Sequence, residues 1–278
     1  MKNILSIAII FLSVTSAIGQ YKAIQSEVIG KGKPILFLPG FTTPGSIWKE
    51  TLSHLKIERE AHLISYAGFN GIKPIEAPWY SSIKKEIIAY IKDKNLQEVE
   101  IIGHSMGGTL ATDIAAELPR IVKKIILVDA LPCMREVMMP GVPAESLQYE
   151  SPYNKRILEM NEEQFKGMAT MMSSNMTNTK AKIATVTNWI LEADRKTYVY
   201  GYTDLLKLDL RDELFKVKAK ALILGAPTYG AIAKETMEKQ YANLAEKTIV
   251  MAPEGKHFIM FDQPDWFYKK INAFLTSE

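Results

Sequence analysis

Cysteine is nearly missing from this 278-residue chain, where Cys133 stands alone. One thiol cannot close an internal disulfide, and no neighbouring group in the sequence activates it. Cys133 therefore reads as a small apolar residue in a loop. Histidine is scarce as well, with four in all. The chain has no His-Glu-x-x-His, no paired cysteines and no glycine-rich loop ending in Gly-Lys-Ser/Thr, so metal and phosphate chemistry find no support. No charge run dominates: 34 Lys and Arg are mixed with 31 Asp and Glu for a net +3. Without a basic stretch interleaved with aromatics, nucleic acid is not an expected partner. Repeats and low-complexity tracts are absent.

What is present begins with residues 1–19, which read as a secretory signal. Lys2 supplies the positive start, Ile4 to Val14 the apolar stretch, and Ala17-Ile18-Gly19 a small-x-small cleavage site before Gln20. The apolar run is too short for a comfortable membrane span, although an uncleaved anchor is the alternative. No cysteine follows the cut, so a lipid-anchored terminus is not indicated. Cleavage removes Lys2 from the 34 basic residues and leaves +2. The expectation is an exported protein, periplasmic or secreted, with no stable membrane span once the signal is gone.

Apolar residues make up 47% of the chain, enough for a sizeable core. Short apolar runs alternate with helical patterns. Ala23 to Ile29 reads as an early strand, Ile35-Leu36-Phe37-Leu38 is continuously apolar, and Ala61 to Tyr66 follows. Ser46 to Leu55 reads as a short helix, and Ser82 to Asn95 as a longer one with Ile83, Ile87, Ile88 and Ile91 on one face. Lys123 to Asp129, Ala219 to Gly225 and Lys247 to Ala252 are further strands. Ala231 to Leu244 and Pro264 to Leu275 are further helices. Regular alternation predicts an α/β fold: a mostly parallel sheet with helices on both faces.

From 131 to 204 the alternation breaks. That stretch is helical in pattern and holds eight of the thirteen methionines, at 134, 138, 139, 160, 168, 171, 172 and 176. The cluster reads either as loose core or as a pliable apolar wall over a ligand, and the second reading is preferred. The expected division is 1–19 signal, 20–130 and 205–278 core, and 131–204 helical cap inserted after the strand ending at Asp129.

Between Val99 and Leu118 lies the stretch that carries the chemistry. An apolar strand runs into Gly103-His104-Ser105-Met106-Gly107-Gly108 and then into a helix that stops at Pro119. Glycines two before and two after Ser105 remove side chains that a very tight strand-to-helix turn cannot hold. Such a turn lifts the serine clear of the sheet and aims the free N–H groups of the new helix at the same spot.

This motif resembles the nucleophile elbow of the α/β-hydrolase fold superfamily, and the order of the other segments extends the resemblance over nearly the whole mature chain. The resemblance implies a serine nucleophile at Ser105 and no cofactor. It also implies a base in the loop after the last strand, where Gly255-Lys256-His257-Phe258 resembles the family's Gly-x-His region. His257 is thus the expected base. His104 is expected to pack beneath the turn, and His54 and His62 have surface or packing readings. The loop after the second strand, Pro39-Gly40-Phe41-Thr42, has proline where the family often has histidine. The oxyanion donor there is a backbone N–H, so Phe41 matches the donating position, with Met106 as the second donor.

The acid departs from the pattern. Most members carry Asp or Glu after the penultimate strand, but residues 225–230 here have none, and Glu235 is the first carboxylate beyond. Asp129 is the other location the superfamily uses. Aspartate there also caps turns, so a Ser–His dyad stays open. A serine rather than an aspartate nucleophile argues against dehalogenase or epoxide-hydrolase chemistry. The reading is an exported serine hydrolase acting on a small-molecule acyl substrate, a carboxylic ester first, with amide, lactone and carbon–carbon cleavage open. The alternative is a catalytically weak hydrolase-like protein that holds a small apolar ligand under the cap.

Overall fold

A computed structural model describes residues 21–227 and 231–277; the expected signal lies outside the described residues. Among the described residues seven strands form one sheet: β1 (Ile24–Gly30), β2 (Pro34–Leu38), β3 (Glu60–Tyr66), β4 (Val99–His104), β5 (Val122–Val128), β6 (Lys220–Gly225) and β7 (Lys247–Met251). Their order is β1-β3-β2-β4-β5-β6-β7. β1 runs antiparallel to β3 at the edge of the sheet, where Gln25 to Val28 are all exposed, and every other pairing is parallel. The central strand β4 is buried at all six positions, which requires helices over both faces.

Those helices are α1 (Trp48–Ser53), α2 (Trp79–Asp93), α3 (Met106–Glu117), α4 (Met134–Met138), α5 (Pro152–Leu158), α6 (Glu162–Met176), α7 (Lys180–Leu191), α8 (Arg195–Lys207), α9 (Ala231–Gln240), α10 (Ile259–Asp262) and α11 (Pro264–Thr276). Among the described residues no helix is long and apolar enough to cross a membrane. α4 to α8 all fall between β5 and β6. α8 runs through residue 204, so the boundary expected there falls inside a helix. Residues Ile83, Ile87, Ile88 and Ile91 of α2 are buried together, as their spacing predicts.

α2 nonetheless starts three residues before the expected Ser82. Its N-cap is Pro78, whose side chain has no oxygen to offer. The cap comes from α8 instead: the carboxylate of Asp204, 8% exposed, accepts from the N–H of Trp79 at 2.7 Å and of Tyr80 at 3.1 Å. The same carboxylate accepts from the Tyr149 hydroxyl. A negative charge here also meets the positive end of the helix. One buried carboxylate therefore ties the helices inserted after β5 to a helix lying against the sheet.

Removing that carboxylate strands two buried N–H groups and a hydroxyl. Asp204→Ala is expected to destabilise the protein by about 2–4 kcal/mol in urea unfolding, while Asp204→Asn, which keeps one acceptor, loses less. A loss below about 1 kcal/mol for the alanine variant would show that water caps α2 equally well.

Candidate active site

From Val99 to Thr112 every residue is buried except Ser105. The turn between β4 and α3 produces that exception. Ser105 adopts φ 53°, ψ −124°, a region that costs a residue with a side chain of the order of 1–3 kcal/mol. The surroundings hold it there. Its N–H donates to the Val128 carbonyl at 2.8 Å, and its own carbonyl accepts from Gly108 at 2.8 Å and Thr109 at 3.1 Å. A Cβ added at Gly103 would lie 2.2 Å from the Gly107 carbonyl oxygen, and one at Gly107 would lie 2.1 Å from that of Leu38. No side chain fits at either place, which accounts for the spacing of the motif.

His257 follows β7, and its Nδ1 lies 2.7 Å from Oδ2 of Asp129. Asp129 closes β5 with φ 46°, and its N–H donates to the Leu224 carbonyl at 2.8 Å. Its other oxygen, Oδ1, accepts from the Ala226 N–H at 2.9 Å. The carboxylate is thus fixed by the end of β6 on one side and turned toward His257 on the other. Because β5 and β6 are neighbours, a carboxylate at the end of β5 reaches a histidine after β7 without one at the end of β6. Carboxylate against Nδ1 leaves Nε2 as the free ring nitrogen. Glu235 is exposed on α9.

Ser105, His257, Asp129, Phe41 and Met106 all line one cavity of about 730 Å³. The loop after β2 turns at Gly40–Thr43, closed by the Thr43 N–H on the Gly40 carbonyl at 3.1 Å, with Thr42 at φ 62°. The turn presents the backbone of Phe41 beside the start of α3, where the N–H groups of Met106 and Gly107 have no acceptor one turn back in the helix. The Phe41 ring is locked among Phe69, Trp79, Tyr198 and Tyr202, with centroids 4.9–5.8 Å away. Opposite the sheet the cavity wall includes Met134, Met138, Met172 and Met176 from the inserted helices. Met171 is 62% exposed and contributes nothing to it. Among the described residues no three His, Cys, Asp or Glu side chains converge as a metal ligand set.

His104 packs beneath the turn, as its position in the motif suggests, but it does more than fill space. Its Nε2 donates to the backbone carbonyl of His257 at 3.0 Å, since a carbonyl can only accept. Burial, then repulsion from a protonated His257 ring, hold its pKa well below the usual histidine range, against the opposing pull of that hydrogen bond. The ring is therefore neutral, with a bare Nδ1 that has no partner. A Cβ at Gly40 would lie 2.8 Å from that nitrogen. Sequence reasoning missed this brace because the partner is a main-chain oxygen 153 residues away. The other histidines are structural: His62 is buried against the Tyr90 hydroxyl at 2.7 Å, and His54 stacks on Tyr268. Cys133 is buried and free.

Comparison with known proteins bears on the fold and the family. The model of the alpha/beta hydrolase family matches residues 35–270. The pimeloyl-(acyl-carrier protein) methyl ester esterase of Aliivibrio salmonicida is 20% identical over 253 residues, covering 90% of this chain and 94% of that one. Among solved structures, an esterase from Exiguobacterium antarcticum superposes with a TM-score of 0.76 at 19% identity, over 92% of this chain and 98% of that one. The enol-lactonase from Burkholderia xenovorans gives 0.74 at 14% identity, over 91% and 96%. These structures share the fold. With the family's match spanning most of its length, the chain belongs to the alpha/beta hydrolase family, and it is a hydrolase.

Proposed function

We propose that the chain is an exported serine hydrolase that cleaves a carboxylic ester through an acyl-enzyme. The observation that carries this reading is the 2.7 Å contact between His257 Nδ1 and Asp129 in the cavity that Ser105 also lines. Ser105 Oγ attacks the acyl carbon while His257 Nε2 takes its proton. Asp129 holds the ring in the right tautomer and stabilises the imidazolium without taking the proton itself. The N–H groups of Phe41 and Met106 stabilise the oxyanion. His257 then returns the proton to the departing alcohol, and water repeats the sequence to release the acid. The methyl ester esterase name shared by several curated relatives at low identity favours an ester over an amide or lactone.

Residues 131–204 act in this reading as a cap whose methionines form an adaptable apolar wall for the acyl group. Export rests on residues 1–19, with their charged start, apolar middle and small-x-small cleavage site. The alternative of a mere ligand-binding relative drew its support from a missing carboxylate, and Asp129 beside His257 supplies one.

Ser105→Ala is expected to abolish both fluorophosphonate labelling and ester turnover while the circular dichroism spectrum stays native. Undiminished turnover would place the chemistry on another residue. Asp129→Asn should fold yet lose about 10⁴-fold in kcat, while Glu235→Gln remains near normal. An Asp129→Asn enzyme that keeps most of its kcat would leave a Ser–His dyad as the better description. For the cap, Met172→Ser should raise KM for octanoate esters more than for acetate esters, and Met171→Ser should change neither. Equal effects on the two ester lengths would assign Met172 to structural packing.

A further inference from the structure

Asp262 lies five residues after His257, at the end of α10, and its carboxylate gathers an unusual number of donors. From the α6–α7 junction, Oδ1 accepts the Thr177 hydroxyl at 2.6 Å, the Thr179 hydroxyl at 2.9 Å and the Asn178 and Thr179 N–H groups at 3.0 and 3.1 Å. Oδ2 accepts the Asn178 N–H at 3.0 Å and, from the other side, the Lys256 N–H at 2.9 Å. One carboxylate thus joins the residue before His257 to the turn between two inserted helices. The neighbours repeat the connection. Lys256 Nζ donates to the Ser174 carbonyl at 2.7 Å, and the Phe258 N–H donates to the Met176 carbonyl at 2.9 Å.

His257 is therefore flanked on both sides by residues bonded to the C-terminal end of α6, the same turn whose Met172 and Met176 face the cavity. The local backbone is fitted to this arrangement. Gly255 sits at φ 112°, and a Cβ there would meet Cβ of Asp262 at 3.1 Å. Trp189 of α7 packs on Phe258 and Phe261, which stack on each other at 5.1 Å.

We propose that Asp262 is a positioning residue that locks the imidazole of His257 to the α6–α7 junction, so that the alignment of the base depends on the seating of the helices over the cavity. The proposal rests on the reading of His257 as the base. A carboxylate is required because every partner is a donor. In asparagine the amide nitrogen would face an N–H group on one side or the other, and that side of the lock would open. Burial works to raise the pKa of Asp262, but the hydrogen bonds from Thr177, Asn178, Lys256 and Thr179 outweigh it and hold the group below the usual carboxylate range. The lock is therefore charged and closed throughout the neutral range.

The test compares Asp262→Asn with Asn272→Ala. Asn272 is a remote buried residue that holds the Lys56 N–H at 2.7 Å and offers a similar structural loss without touching His257. Asp262→Asn is expected to lower kcat about 100-fold with KM little changed, since a base displaced by about 1 Å loses that much. It should also broaden or shift the low-field proton resonance of the His257–Asp129 hydrogen bond. Asn272→Ala should lower Tm yet leave kcat and that resonance alone. If Asp262→Asn does not fold, Thr177→Val removes one donor from the cap side and should cost about tenfold in kcat with the same change in the resonance. Unchanged kcat and an unmoved resonance in the folded variant would overturn the proposal and leave Asp262 a simple structural pin. A wild-type protein inert to fluorophosphonate would overturn the serine-hydrolase reading instead, and the resonance would still report on the lock.

Discussion

At Gly107 the backbone of α3 passes so close to the end of β2 that an added Cβ would sit 2.1 Å from the Leu38 carbonyl oxygen. That approach fixes the distance between the loop after β2 and the start of α3, and with it the spacing of the two N–H groups proposed to hold an oxyanion. Gly103 permits the same closeness within the turn itself. With both glycines in place, Ser105 is forced into its strained conformation and becomes the one residue from Val99 to Thr112 that is not buried. The strain is maintained by the hydrogen bonds to Val128, Gly108 and Thr109 and by the packing of the sheet beneath. A loosened elbow would disperse the donors and the serine together.

Much of this was legible in the sequence because it is written in short-range patterns. The continuous apolar run of β2, the isoleucine face of α2 and the Gly-x-Ser-x-Gly between strand and helix are each contained in a dozen residues or fewer. Contacts that join distant parts of the chain left no such mark. Asp204 caps α2 from 125 residues away, so the helix begins earlier than local signals at Ser82 suggest. His104 braces the His257 carbonyl, and nothing beside either residue announces it. The methionine cluster was visible as composition, but which of its members face inward depends on helix phase. Met172 meets the cavity and its neighbour Met171 meets water.

The proposed acid illustrates how topology brings together what a motif leaves apart. Asp129 and the end of β6 are far apart in sequence yet adjacent in the sheet. Asp129 therefore takes one hydrogen bond from Ala226, beyond β6, and turns its second oxygen to His257. Turn-capping and orienting a histidine were competing readings of one aspartate. The structure turns one oxygen to His257 and the other across the sheet to the Ala226 N–H, a partner that no local signal beside Asp129 could announce.

The bare Nδ1 of His104 carries a further consequence. In the folded protein this ring resists protonation, because burial disfavours the charge and a second N–H would point at the Gly40 backbone with nothing to accept it. In the unfolded chain the same ring takes up a proton at its ordinary pKa. At neutral and alkaline pH the difference has no effect on stability. As the pH drops below the ordinary histidine value, the unfolded chain gains protons that the folded one refuses, and stability drains away until the folded ring titrates as well. His62, whose pKa burial also lowers, adds to the same slope. Acid thus attacks this fold from underneath its strained turn, where one buried imidazole helps to set how much acidity the conformation of Ser105 survives.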